Sequence, residues 1–230
     1  MGKKSKIYII DPQPIVRRGL LVIIGDEDDL KICGHSEDPR KLYECVEDLK
    51  PDLLIIDIAL KNGSGIETIK DIRAKYPDIN ILVFSHHDES VYADHVLRAG
   101  AMGYIMKNEE VNRIKEAIRF VLKGEIFVSE KIRLTLLKRL ISNNHKGYRS
   151  PIEQLSSREL EVFQLIGTGL STRKIAKELN LGIKTIETYR FNIKKKLDIK
   201  DNTELIHHAA KWFFNENKTD KNKSALKQEK

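Results

Sequence analysis

Four side chains able to do chemistry each follow directly on a short apolar run. They are Asp11 after IYII, Asp57 after LLII, Ser85 after ILVF and Lys107 after GYIM. Gathered at one edge, an acid pair, a hydroxyl and an ammonium could hold a divalent cation together with a phosphoryl group. Carboxylate oxygens are hard donors that suit Mg2+, and a lysine and a hydroxyl suit phosphate oxygens. A single strand-end acid is equally well explained as a solvated loop residue; all four in this order are not. A second constellation lies toward the other end. Residues 183–197, IKTIETYRFNIKKKL, set Lys184, Arg190, Lys194, Lys195 and Lys196 against Glu187 alone, a pattern that suits a polyanion.

The first constellation requires parallel strands whose carboxyl ends lie together. The apolar runs Ile7–Ile10, Leu30–Cys33, Leu53–Ile56, Ile81–Phe84 and Gly103–Met106 read as buried strands. Amphipathic stretches near Ile15–Ile24, Pro39–Leu49, Ile66–Tyr76, Val91–Ala99 and Val111–Lys123 read as the helices between and after them. Such alternation predicts an α/β fold, a five-stranded doubly wound parallel sheet of the flavodoxin-like kind. In such sheets the site forms at the carboxyl ends of the strands.

The second constellation requires a helix presented by a small bundle. Ile126–Ile141 continues as a helical pattern, and SNNHKGYRSP, residues 142–151, reads as a linker. From Ile152 to Phe214 the pattern is helical throughout. LSSRELEVFQLIGTG opens on a Ser cap with Glu159 behind it and ends at Gly167 and Gly169. STRKIAKELNL and IKTIETYRFNIKKKL follow, separated by a tight turn at Asn180 and Gly182, with Ile186, Tyr189, Ile193 and Leu197 as the inward stripe. Two short helices joined this way form a helix-turn-helix candidate, whose second helix enters the major groove of double-stranded DNA. The alternative is a solvated lysine-rich helix in a plain bundle. The polar, lysine-rich segment 216–230 reads as a disordered tail.

Charge follows the same division. The chain of 230 residues carries a net charge of +7. Residues 1–125 hold 19 Lys+Arg and 22 Asp+Glu, a net of −3, and residues 126–230 hold 22 and 12, a net of +10. No apolar run approaches the ~18 residues of a membrane span, and Cys33 and Cys45 are too few for a disulfide scaffold or zinc site. A cytoplasmic setting with no membrane partner fits, with both cysteines as packed thiols. His86 and His87 read as loop histidines rather than metal ligands.

From about Lys6 to Lys123 the sequence resembles the receiver domain of bacterial response regulators. The resemblance rests on Asp11, PDLLIID ending in Asp57, the NGSGIE turn, Ser85, and AGAMGYIMK ending in Lys107. It implies that a histidine kinase phosphorylates Asp57. It also implies that Asp11, Asp57 and the backbone carbonyl of Ala59 bind Mg2+, that Ser85 and Lys107 bind the phosphate, and that Tyr104 is the switch aromatic. The pattern departs at Pro12, which stands where the family has a second acid. Weaker Mg2+ binding and slow or absent autophosphorylation follow as expectations. Either Asp57 is still phosphorylated, or the receiver is degenerate and the protein is a constitutive or partner-regulated DNA binder.

From about Pro151 to Phe214 the sequence resembles the four-helix DNA-binding domain of the LuxR/NarL/FixJ type, through LSSRELEV, GLSTRKIAKELNL, KTIETYRFNIKKKL and NTELIHHA. The resemblance implies a scaffold helix at about Thr172–Leu179, a recognition helix at about Ile183–Leu197, and dimerisation through a last helix at about Thr203–Trp212. Lys184, Thr185 and Thr188 are the candidates for bases or phosphates, Arg190, Lys194 and Lys174 for phosphates. Glu187 is a candidate acceptor from a cytosine amine, or a partner of Lys184 or Arg190. The expected layout is a receiver at 5–123, a helix and linker at 124–150, an all-α four-helix helix-turn-helix domain at 151–215 and a tail at 216–230. The expectation is a homodimeric transcription factor, not a turnover enzyme. A haloacid-type hydrolase would need a second acid near Asp57, and the residue two beyond it is Ala59.

Overall fold

The computed structural model describes residues 4–60, 63–141 and 151–226. The chain divides into two compact units, Met1–Lys138 and Arg139–Lys230. In the first, β1 (Ser5–Ile10), β2 (Leu30–Ser36), β3 (Leu53–Ile56), β4 (Asn80–Ser85) and β5 (Gly103–Met106) alternate with α1 (Pro14–Gly25), α2 (Arg40–Leu49), α3 (Gly65–Lys75), α4 (Glu89–Ala99) and α5 (Val111–Leu122). All pairings are parallel and the strand order is β2-β1-β3-β4-β5.

The strands are apolar on both faces because both faces are covered. Ile7, Ile9, Leu53, Ile55, Leu82, Phe84 and Ile105 pack in one cluster with Leu20 and Ile24 of α1 and Ile114, Ile118 and Val121 of α5. The alternate residues Tyr8, Ile10, Leu54, Ile56, Ile81 and Val83 are buried on the other face, toward the buried sides of α2, α3 and α4. Each such side chain contributes about 1.5–3 kcal/mol, so the sheet is rigid enough to fix what stands at its ends. Ile10 pairs with Ile56, Ile56 with Val83, and Ser85 with Met106. The residues that follow these strands therefore emerge level with one another.

Two boundaries of the first unit differ from the sequence pattern. Strand β2 runs on to Ser36, beyond the expected end at Cys33. Its register against β1 steps from Ile7↔Ile32 to Tyr8↔Gly34. The extra residue is Cys33, and polar His35 and Ser36 hid the continuation. Residues 126–129 are not helical. Gly124, at φ 78, turns the chain back after α5. Phe127 then lies beside β5, its N–H donating to Met102 and its carbonyl accepting from Tyr104 at 3.0 and 2.8 Å. The next helix, α6, is Glu130–Ile141.

Residues 142–150 of the expected linker lie outside the described residues, and beyond them the second unit continues with a 3-10 turn at Pro151–Gln154. Helices α7 (Ser157–Gly167), α8 (Thr172–Glu178), α9 (Ile183–Leu197) and α10 (Asn202–Leu226) follow. Leu160, Phe163, Ile166, Ile175, Ile186, Ile193, Leu205 and Ala209 form its core, and Trp212 packs on Phe163 with ring centroids 5.5 Å apart. Helix α10 passes the expected end near Trp212 and continues through residues expected to lack regular structure. No Gly or Pro interrupts residues 202–226 to stop it.

Candidate functional site

The strand ends place Asp11 beside Asp57, and Lys107 joins them. The Lys107 side chain is only 2% exposed, and its Nζ lies 2.6 Å from Asp11 Oδ2 and 2.7 Å from Asp57 Oδ2. Ser85 Oγ, fully buried, donates to the other Asp57 oxygen at 2.8 Å. One ammonium thus serves two buried carboxylates, leaving the cluster a net negative charge. Burial holds the Asp11 carboxyl above the ordinary carboxylate range; Lys107 opposes the shift and neighbouring Asp57 adds to it.

The loops are set by local chemistry. The Gln13 N–H donates to Asp11 Oδ1 at 2.8 Å, and Gln13 begins the turn into α1, where Pro14 stands at the first position. Arg17 reaches back to donate to the Asp11 carbonyl. The Ala59 N–H lies 3.2 Å from Asp57 Oδ1. Gly65 opens α3 against this loop; a Cβ there would stand 2.4 Å from Ile58 Cα, so only glycine lets the helix approach. Tyr104 is buried, its hydroxyl donating to the His87 carbonyl at 2.7 Å, while the His87 ring lies against Tyr92. Burial lowers the His87 pKa, against the pull of Asp57.

Among the described residues no three His, Cys, Asp or Glu side chains gather as a metal cluster. What converges is a pair of carboxylates with the Ala59 backbone nearby. That donor set is all oxygen, and Mg2+ is commonly held by one or two carboxylates while keeping several waters. The residues present therefore fit this cation in kind, with one acid fewer than the family pattern.

In the second unit, α7 begins with a capping box. Ser156 Oγ accepts from the Glu159 N–H at 3.3 Å, and Glu159 Oε2 accepts from the Ser156 N–H at 2.6 Å. Lys196 of α9 donates to the same carboxylate at 2.6 Å. Burial alone would raise the Glu159 carboxyl, but Lys196 and Ser156 together hold it below the ordinary range. This long-range tie fixes α9 to α7, and no local sequence pattern signals it. On α9, Ile186 and Ile193 are buried, and Tyr189 and Leu197 are only partly so. Lys184, Thr185, Glu187 and Thr188 are exposed on its outer side, as is Lys174 on α8. Arg190 and Lys194 lie on the flank, half-buried; desolvation lowers the Arg190 pKa. Of the two alternatives for Glu187, the pairing with Lys184 or Arg190 is absent: it forms no ion pair or hydrogen bond among the described residues.

A carboxylate cluster at the ends of a parallel sheet, with a separate helix-turn-helix unit, defines a phosphoacceptor module combined with a DNA-binding module. Residues 7–119 match the response regulator receiver domain, and residues 153–209 match the bacterial regulatory proteins of the luxR family. The chain is 35% identical to the oxygen regulatory protein NreC of Staphylococcus haemolyticus over 90% of its own length and 97% of that protein. It also superposes on RcsB of Salmonella enterica serovar Typhimurium bound to promoter rprA with the phosphomimetic BeF3-. That match has a TM-score of 0.68 and 25% identity, covering 90% of this chain and 99% of the other. A further RcsB structure from Salmonella typhimurium gives a TM-score of 0.71 at 25% identity, covering 91% and 98%. The chain belongs to the LuxR-type (NarL/FixJ) response regulators and is a DNA-binding transcription regulator of that family. No described helix is long and apolar enough to cross a membrane.

Proposed function

We propose that Asp57 is the phosphoacceptor through which a histidine kinase controls this regulator. The observation that carries the reading is the Asp57 carboxylate held between Ser85 Oγ at 2.8 Å and Lys107 Nζ at 2.7 Å. An Asp57 oxygen forms the new O–P bond as the donor's bond to phosphorus breaks, and the electron pair leaves with the donor. Lys107 and Ser85 then offer an ammonium and a hydroxyl to the phosphoryl oxygens. Asp11, Asp57 and the Ala59 carbonyl would hold Mg2+, which when bound neutralises charge on those oxygens. The new charge redirects Ser85 away from the carboxylate alone, and Tyr104, tied to the His87 carbonyl, is placed to follow the loop after β4. The protein modifies itself and turns over no other substrate. Incubation with a small phosphodonor and Mg2+ should add one phosphoryl mass to the wild type and none to Asp57→Asn. No added mass on the wild type favours the second reading, a constitutive or partner-regulated binder with a degenerate receiver, for which Pro12 speaks.

On the same reading, a homodimer acts in the cytoplasm and binds double-stranded DNA at two half-sites through α9. Arg190, Lys194 and Lys174 contact phosphates, while Lys184, Thr185, Glu187 and Thr188 face the groove. Replacing Arg190 or Lys194 with Ala should weaken binding to all duplexes alike. It should also reduce the slope of log affinity against log salt by about one. An unchanged slope measured by fluorescence anisotropy removes that residue from the phosphate contacts.

A further inference from the structure

Phe191 sits in the middle of α9 and is 63% exposed. It stands five residues after buried Ile186 and two before buried Ile193. At ~100° per residue it is turned roughly 140–160° away from both. Lys184, Thr188, Phe191 and Lys195 succeed one another at spacings of four, three and four, so they form one outer stripe, and all four are exposed. Thr188 Oγ1 donates to the Lys184 carbonyl at 3.0 Å. Its hydroxyl proton is therefore used within the helix, and the γ-methyl is the other group it carries outward. An aromatic ring and a methyl thus make an apolar patch on a helix that is otherwise strongly basic. Single exposed apolar side chains are common at protein surfaces, but Phe191 shares the outer stripe of α9 with Lys184 and Lys195. On a helix drawn to phosphates by Lys184, Arg190, Lys194 and Lys195, it is carried to the floor of the groove. The apolar feature displayed there is the 5-methyl group of thymine.

We propose that Phe191, with Thr188 beside it, is a specificity-determining residue that reads the methyl group of a thymine in each half-site. This rests on the DNA-binding reading above and adds to it the base that the middle of α9 selects. Glu187, unpaired one residue before Thr188, remains the acceptor for a cytosine amine.

The test begins with the full-length protein and a random-sequence duplex pool, from which bound duplexes are selected. Each thymine of the selected duplex is then replaced singly by uracil, which removes only the methyl. Wild-type binding should fall by roughly threefold to tenfold at one thymine per half-site. Phe191→Ala should bind the thymine and uracil duplexes equally, and Phe191→Leu should keep part of the preference. Because the ring is exposed, circular dichroism melting should be the same for all three proteins. Equal wild-type affinity for both duplexes, or a preference that survives in Phe191→Ala, overturns the proposal while leaving DNA binding intact. Unaltered DNA binding by Phe191→Ala with loss of self-association assigns the patch to a protein contact and likewise overturns it. Failure to select any duplex overturns the DNA-binding reading as well.

Discussion

Replacing Lys107 with methionine is expected to destabilise the first unit by about 3–5 kcal/mol at neutral pH, the usual cost of removing one partner from a buried ion pair. Here the loss falls on two carboxylates at once, since the same Nζ lies within 2.7 Å of both Asp11 and Asp57. Methionine keeps most of the volume, so the measured loss is electrostatic rather than a cavity. The chain has a single tryptophan, Trp212, in the second unit. Urea unfolding followed by tryptophan fluorescence should therefore stay in place while the circular dichroism transition of the first unit moves to lower urea. The pH dependence has a definite sign. Asp11 has a raised carboxyl pKa in the fold, chiefly through burial. A carboxyl of this kind favours the folded state below its ordinary value and loses that contribution as pH rises through the raised one. Without the ammonium the shift grows, and Asp11 takes up a proton more readily in the fold than in the unfolded chain. The gap between wild type and variant should be smaller at about pH 5 than at about pH 7.5. A gap that stays constant, or widens in acid, would show that Lys107 does not hold the two acids together.

The sequence made the carboxylate cluster legible because each member ends an apolar run, and a parallel sheet brings the ends of its strands to one edge. The hydrogen bonds themselves were not legible. That one lysine bridges both acids depends on register, Ile10 beside Ile56, which no local pattern specifies. Ile126 and Phe127 continue a helical spacing, yet Phe127 lies beside β5, where tertiary pairing overrides periodicity. Phe191 shows a related conflict. A phenylalanine in a helix suggests core, yet the phase of Ile186 and Ile193 already placed it outside. The Glu159–Lys196 tie spans 37 residues and belongs to packing alone. Glu159 itself could be found, because a Ser three residues before a Glu is a local signal with a local cause.

Replacing Pro12 with aspartate is expected to tighten Mg2+ binding by roughly tenfold to a hundredfold. A third carboxylate near a divalent cation adds an attraction of ~4 kcal/mol for each unit of cation charge at 4 Å and an effective dielectric of ~20. Repulsion from Asp11 and Asp57 cancels much of that, and Arg17, already bonded to the Asp11 carbonyl, draws on the new acid as well. The remainder is still one to two powers of ten. Without the cation the variant should be less stable than the wild type. Three acids then share one ammonium, and the unfolded chain gains freedom when proline is lost, worth about 0.4–1 kcal/mol. Added Mg2+ should therefore stabilise the variant more than the wild type, by the logarithm of its greater occupancy. Calorimetric titration of the full chain with Mg2+ measures the affinity directly. The rate at which mass appears on Asp57 from a small phosphodonor, at one fixed Mg2+ concentration, measures its consequence. If titration shows no tightening, Asp11 and Ala59 do not face a common cation position. If it tightens and Pro12→Asp is modified while the wild type is not, then Pro12 is what separates this receiver from a phosphorylated one, and the DNA-binding unit is either constitutive or controlled by a protein partner.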